Sequence, residues 1–329
     1  MSRHDHTARP HPRPRRPGKR VSPASSAKLD GAADAALLLE EGVARVGRGD
    51  LDGAIAAWRR AVAVDPTLAR TWFDLGHAPE PQPTLALLAV EAYERARAIG
   101  QDRYECWFDL GAAYADLGDV VASVRCYRRA TEIDPSAYQG WFNLGFACAG
   151  SHDAMAAADA YRRAATLYPG AYETWYNLGT AYLDLGRFDD AVAAYRASLA
   201  LHDADYEVWN NLGNALVQVE RSGEARECFR RALELNPAYD LSWNNLGNVL
   251  EETGSLDEAR EAYERAVALV PDQATYRLNL ASALARCSLI DRAVMHLAKA
   301  VELAPEIRTL LPGFAEFASL LDHPFLSHL

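Results

Sequence analysis

No stretch of this 329-residue chain approaches twenty consecutive apolar residues, the length an α-helix needs to cross a bilayer. No membrane span is therefore expected. Five cysteines (Cys106, Cys126, Cys148, Cys228 and Cys287) are odd in number and hold no Cys-x-x-Cys pair. They read as small, buried or half-buried side chains in a reducing cytosol. His77, His152, His202, His296 and His323 are scattered without metal-ligand spacing, and no Gly-rich phosphate loop follows a strand. No catalytic constellation, metal site or cofactor is expected, so the chain reads as a non-enzyme. Behind the charged N-terminus there is no apolar segment, so no secretory signal or lipid anchor is read there. Lysine is scarce, three against 31 arginines, and alanine is frequent. That bias suggests a GC-rich, bacterial genome, and the reduced cysteines suggest a cytoplasmic protein.

What is present is acidic and half apolar: net charge is −11 and 50% of residues are hydrophobic. The charge is uneven. Residues 1–30 hold eight Arg and Lys against two Asp, a net +6, which leaves −17 on the rest. An acidic body argues against binding nucleic acid, which rests on neutralising phosphates, and against docking on an anionic membrane. Residues 1–34 are rich in Pro, Arg and Ser with little to bury, and are expected to be a disordered basic tail.

From residue 35 the chain repeats. The stretch Tyr206 to Pro237 recurs with a 34-residue period. Its tryptophan returns as Trp107, Trp141, Trp175, Trp209 and Trp243, with Trp72 one residue out of step. Within the unit Leu212, Gly213 and Leu216 follow Trp209 on one helical face, and Ala225, Phe229 and Ala232 answer from a second helix. Gly213 and Ala225 are small, so the helices approach closely. Pro237 keeps Asn236 out of the helix. A helix pair this small must stack on its neighbours to bury its apolar face.

These residues resemble the tetratricopeptide repeat (TPR) family, whose pattern is Trp, Leu-Gly, Tyr, Ala, aromatic, Ala, Pro. Trp107 leads Leu110, Gly111, Tyr114, Tyr127, Ala130 and Pro135; Trp243 leads Leu246, Gly247, Ala259, Tyr263, Ala266 and Pro271. The resemblance implies an all-α fold: a right-handed superhelical solenoid of about eight helix-turn-helix units over residues 35–305. The second unit breaks the pattern at 77–84 with Pro79, Pro81 and Pro83, where its first helix is expected to stop. Residues 306–329, with Phe314, Phe317, Leu320 and Leu321, read as a C-terminal capping helix. Arg277 stands in the last tryptophan place.

The resemblance also implies that one face of each first helix lines a concave groove for extended protein segments. Here that face, at −2, +1, +2 and +5 from the Trp, is set against a core face of Trp, Leu and Gly. At +2 it carries Asn143, Asn177, Asn211, Asn245 and Asn279. At +1 come Phe108, Phe142, Tyr176, Asn210 and Asn244, and at +5 Phe146, Thr180, Asn214 and Asn248. An amide both donates and accepts, so a row of asparagines can hold a peptide backbone without reading its side chains. The row resembles the asparagine ladder of the O-linked N-acetylglucosamine transferase TPR arm. Asparagine at +2 also bonds between adjacent helices in TPRs generally, so a joining role stands beside the binding role. The face carries acids and almost no Lys or Arg, which favours a neutral or basic partner segment. Two readings follow: a protein-interaction scaffold, or the substrate-recruiting or regulatory arm of a separately encoded enzyme such as a glycosyltransferase. The helix B arginine pairs, Arg128/Arg129 and Arg230/Arg231 among them, read as a solvated face with local partners such as Glu132 and Glu234.

Overall fold

The computed structural model describes residues 26–46, 48, 50–65, 90, 93–94, 103–313 and 315–317. Among them there is no strand. The chain is an all-α helical repeat, in two compact units, residues 1–169 and 170–329.

In the first unit α1 (Ser26–Val46) pairs with α2 (Leu51–Val64), α3 (Tyr104–Asp116) with α4 (Val120–Ile133), and α5 (Tyr138–Gly150) with α6 (Ala154–Leu167). α1 begins inside the stretch expected to be disordered. The irregular segment 77–84 lies outside the described residues. In the second unit α7 (Tyr172–Asp184) pairs with α8 (Phe188–Leu201), α9 (Tyr206–Gln218) with α10 (Ser222–Leu235), α11 (Asp240–Glu252) with α12 (Leu256–Leu269), and α13 (Ala274–Arg286) with α14 (Ile290–Leu303). From α3 to α14 every first helix has 13 residues and every second helix 14.

Every pair from α1–α2 to α11–α12 is locked by a glycine under an aromatic ring, while the last pair carries Ala281 and Leu297 at these places. A methyl group on Gly213 would come within 2.6 Å of the Phe229 ring, and one on Gly247 within 2.5 Å of Tyr263. Phe229 and Tyr195 are fully buried. Interiors packed to this density have no space for the extra carbon. In the first pair Gly42 faces Trp58, whose indole Nε1 donates to the Leu39 carbonyl at 3.2 Å. Second helices stop where the sequence calls for it: Asn236, before Pro237, is extended at φ −138°, ψ 91°.

The turn between paired helices repeats as well. Gly118, Gly186 and Gly254 have φ of 76°, 70° and 84°. At the same place in the intervening units, His152, Glu220 and Ser288 adopt φ of 62°, 59° and 62°. Three side chains therefore sit in left-handed geometry that glycine takes without penalty.

Unlike Trp58, the repeat-heading tryptophans from Trp107 to Trp243 do not sit in the core. Trp141, Trp209 and Trp243 are half-buried, and each indole Nε1 donates to a carbonyl six residues back: Pro135 at 2.9 Å, Asp203 at 2.8 Å and Pro237 at 2.9 Å. The ring pins its helix to the incoming loop. Arg277 keeps this bond, its Nε donating to the Pro271 carbonyl at 2.6 Å.

The C-terminal segment is not one regular helix through its described residues. α15 (Ile307–Leu310) leads into two 3₁₀ turns, Leu311–Gly313 and Ala315–Phe317. Phe317 is fully buried, and Glu316 accepts from Ser282 Oγ on α13 at 2.6 Å. Phe314, Leu320 and Leu321 lie outside the described residues.

Candidate functional site

The asparagines of α9, α11 and α13 form a bonded set within residues 170–329. Asn245 on α11 donates from Nδ2 to Asn210 Oδ1 at 3.2 Å and to Asn214 Oδ1 at 3.0 Å, both on α9. One repeat later the pattern returns: Asn279 Nδ2 reaches Asn244 Oδ1 at 2.9 Å and Asn248 Oδ1 at 3.4 Å. One repeat earlier a tyrosine takes the +1 place, and Asn211 Nδ2 lies 3.5 Å from Tyr176 Oη. In these three repeats the +2 amide thus reaches the +1 side chain of the repeat before it.

Two groups hold the amide acceptors still. Ser242 Oγ, fully buried, donates to Asn210 Oδ1 at 2.9 Å. Tyr263 Oη donates to Asn248 Oδ1 at 2.8 Å and to Glu251 at 2.9 Å. Burial, with Glu207 and Asp205 nearby, pushes the Tyr176 hydroxyl up to about 12, so it stays protonated at neutral pH. Of the two sequence readings of the asparagine row, the joining role is the one these bonds display. The amides do join repeats, and the joining fixes which end of each amide points outward.

What points outward is a mixture of donors and acceptors. Among the described residues nothing accepts from Nδ2 of Asn214 or Asn248, and nothing donates to Oδ1 of Asn245. These three amides line a pocket of ≈ 420 Å³ with Leu183, Phe188, Val217, Val249 and Glu252 among its walls.

Other expected residues fall elsewhere. Asn210 and Asn244 are buried at 3% and 8% exposure, acting as anchors and not as contacts. Phe108 and Phe142 are also buried, against Tyr127 and Tyr161 with ring centroids 5.6 and 5.8 Å apart. Position +1 therefore belongs to the packed interior, a correction to the expected open face. Tyr176 packs on Tyr195 at 6.1 Å and is half-buried; Asn177 is also half-buried. Asn143 is buried, in the first unit, and Phe146 is exposed there. The acids of the face divide. Glu251 is paired with Arg286 at 2.7 Å, while Glu252 has no ion-pair partner among the described residues and accepts only from Ser222 Oγ, at 3.2 Å. On the second helices Arg129 pairs with Glu132 at 3.0 Å and Arg231 with Glu234 at 2.8 Å, the solvated ion pairs expected there.

The pocket walls Leu183 and Val217, eight residues after their tryptophans, and Gln218, nine after its own, were not singled out by the sequence, whereas Glu252 was among the acids read on the open face. The signal was there: stepping three or four residues from +5 along the same helix face reaches them. Among the described residues no group of three or more His, Cys, Asp or Glu is placed to hold a metal, and no helix is long and apolar enough to cross a membrane.

A family model described as the cilia and flagella-associated protein 70 C-terminal domain matches residues 80–310, and a TPR repeat model matches residues 42–79. The chain belongs to this family of tetratricopeptide repeats. Solved structures similar to the TPR array include Pseudomonas aeruginosa PilF, at 21% identity and TM-score 0.51, covering 66% of this chain and 96% of that one. MamA residues 41 to end from Desulfovibrio magneticus RS-1 is 18% identical at TM-score 0.50, covering 53% and 98%. At these identities the likeness is one of fold. YrrB, a TPR protein with an unusual peptide-binding site, is 21% identical at TM-score 0.49, covering 62% and 97%. No curated protein matches the chain.

Proposed function

We propose that the TPR array is a non-enzymatic protein-interaction scaffold. Its asparagine-lined face between Asn211 and Asn279 clamps the backbone of an extended protein segment. The observation that carries this reading is the fixed orientation of the amides. Asn214 and Asn248 offer N–H donors and Asn245 offers a carbonyl acceptor, so the face alternates donor and acceptor as a peptide chain does. Because the repeat-to-repeat bonds hold these groups, little side-chain freedom is lost on binding. The arrangement resembles the asparagine ladder of the O-linked N-acetylglucosamine transferase TPR arm. A recruiting arm for a separately encoded enzyme is the second reading, and it uses the same face.

The test is a variant that changes only the outward groups. In Asn214→Asp with Asn248→Asp, each Oδ acceptor toward Asn245, Asn279 and Tyr263 stays, while each outward N–H donor becomes an acceptor. Random twelve-residue peptides displayed on phage are selected on the wild-type chain and then measured on the double variant. Loss of binding with an unchanged melting temperature supports the reading. Equal binding by both proteins, or no selected peptide, removes it.

A further inference from the structure

We propose that the pocket between α7, α9 and α11 takes an arginine or lysine side chain from the bound segment. The proposal rests on the backbone-clamp reading and adds what that clamp reads.

The pocket has two kinds of wall. Leu183, Phe188, Val217 and Val249 make its sides apolar, and Glu252 and Gln218 stand among its polar walls. No Lys or Arg lines it. Glu252 matters because it carries a charge that nothing in the described fold neutralises, whereas the adjacent Glu251 is already held by Arg286, Tyr263 and Ser282. Apolar walls with an exposed, unpaired carboxylate among them fit one kind of natural side chain: an aliphatic stem with a cationic head. The stem covers Leu183, Val217 and Val249 while the head meets Glu252 in a charge-assisted bond. A leucine would leave Glu252 unmatched, and a glutamate would meet like charge. Asn245, whose carbonyl is open, also lines the pocket and takes a backbone or guanidinium N–H.

The phage selection tests this directly. Peptides selected on the wild-type chain are expected to share Arg or Lys at one position, and Glu252→Gln to weaken a selected peptide about tenfold, the order of one charge-assisted bond. Selection on Glu252→Lys is expected to replace the basic residue with Asp or Glu at that position, an inversion that a folding defect does not produce. Peptides that depend on Asn214 and Asn248 but show no basic preference, or the same preference on Glu252→Lys, overturn the pocket assignment and leave the clamp standing. Peptides that ignore Asn214 and Asn248, or none selected, overturn both.

Discussion

Asn279 on one repeat donates to Asn244 on the repeat before it at 2.9 Å, as Asn245 does to Asn210 at 3.2 Å. The relationship is a mortise between repeats made of amides, and its energetic weight should be measurable. Asn245→Ala removes bonds to two acceptors and should cost about 1–2 kcal/mol. Asn211→Ala removes only contacts of 3.4–3.5 Å and should cost less. Urea midpoints of the two variants check the order.

The hidden aromatic rings and the tryptophans should separate in the same assay. Phe229 is fully buried under Gly213, so Phe229→Ala should cost about 3–5 kcal/mol. Trp209 is half-buried and holds one loop carbonyl, so Trp209→Ala should cost roughly half that. Equal losses would place the tryptophan back in the core.

The repeat was legible in the residues because its cause is local. A glycine on one helix and an aromatic ring on the next, recurring every 34 residues, spell out close helix packing by spacing alone. Position +1 was not legible. A helix such as α9 is packed on two sides, by α10 of its own repeat and α8 of the one before. Single-face periodicity therefore assigned Phe108, Phe142, Asn210 and Asn244 to the open side when they are buried. The orientation of each amide was not legible either, since it depends on partners 31 to 35 residues away.

The interhelical turns offer a gain in stability. Glu220 has φ 59° at the place where Gly186 and Gly254 stand in flanking units. Glu220→Gly removes left-handed strain and adds unfolded-chain entropy, for a net gain of about 0.5–1 kcal/mol. Its melting temperature should rise, and Gly186→Ala should lower it.

His296 gives the last repeat a pH dependence. Burial, with the Arg277 and Arg292 charges nearby, holds its imidazole below the ordinary 6.5, and Arg277 lies 3.5 Å from Nδ1. A group with a depressed folded-state pKa that is neutral when folded contributes fully above 6.5, and the contribution is lost as pH falls through the lower folded value. Thermal melting of the wild type between pH 7 and pH 5 should fall more steeply than that of His296→Gln.

The central claim is that fixed amides hold a partner by its backbone, and an N-methyl scan of one selected peptide tests it most directly. Each backbone N–H is replaced in turn and affinity is read by calorimetry. Methylation at the bond facing Asn245 should cost tenfold or more, and at bonds facing away about nothing. A scan in which every position behaves alike, with affinity moved only by side-chain changes, would contradict the account.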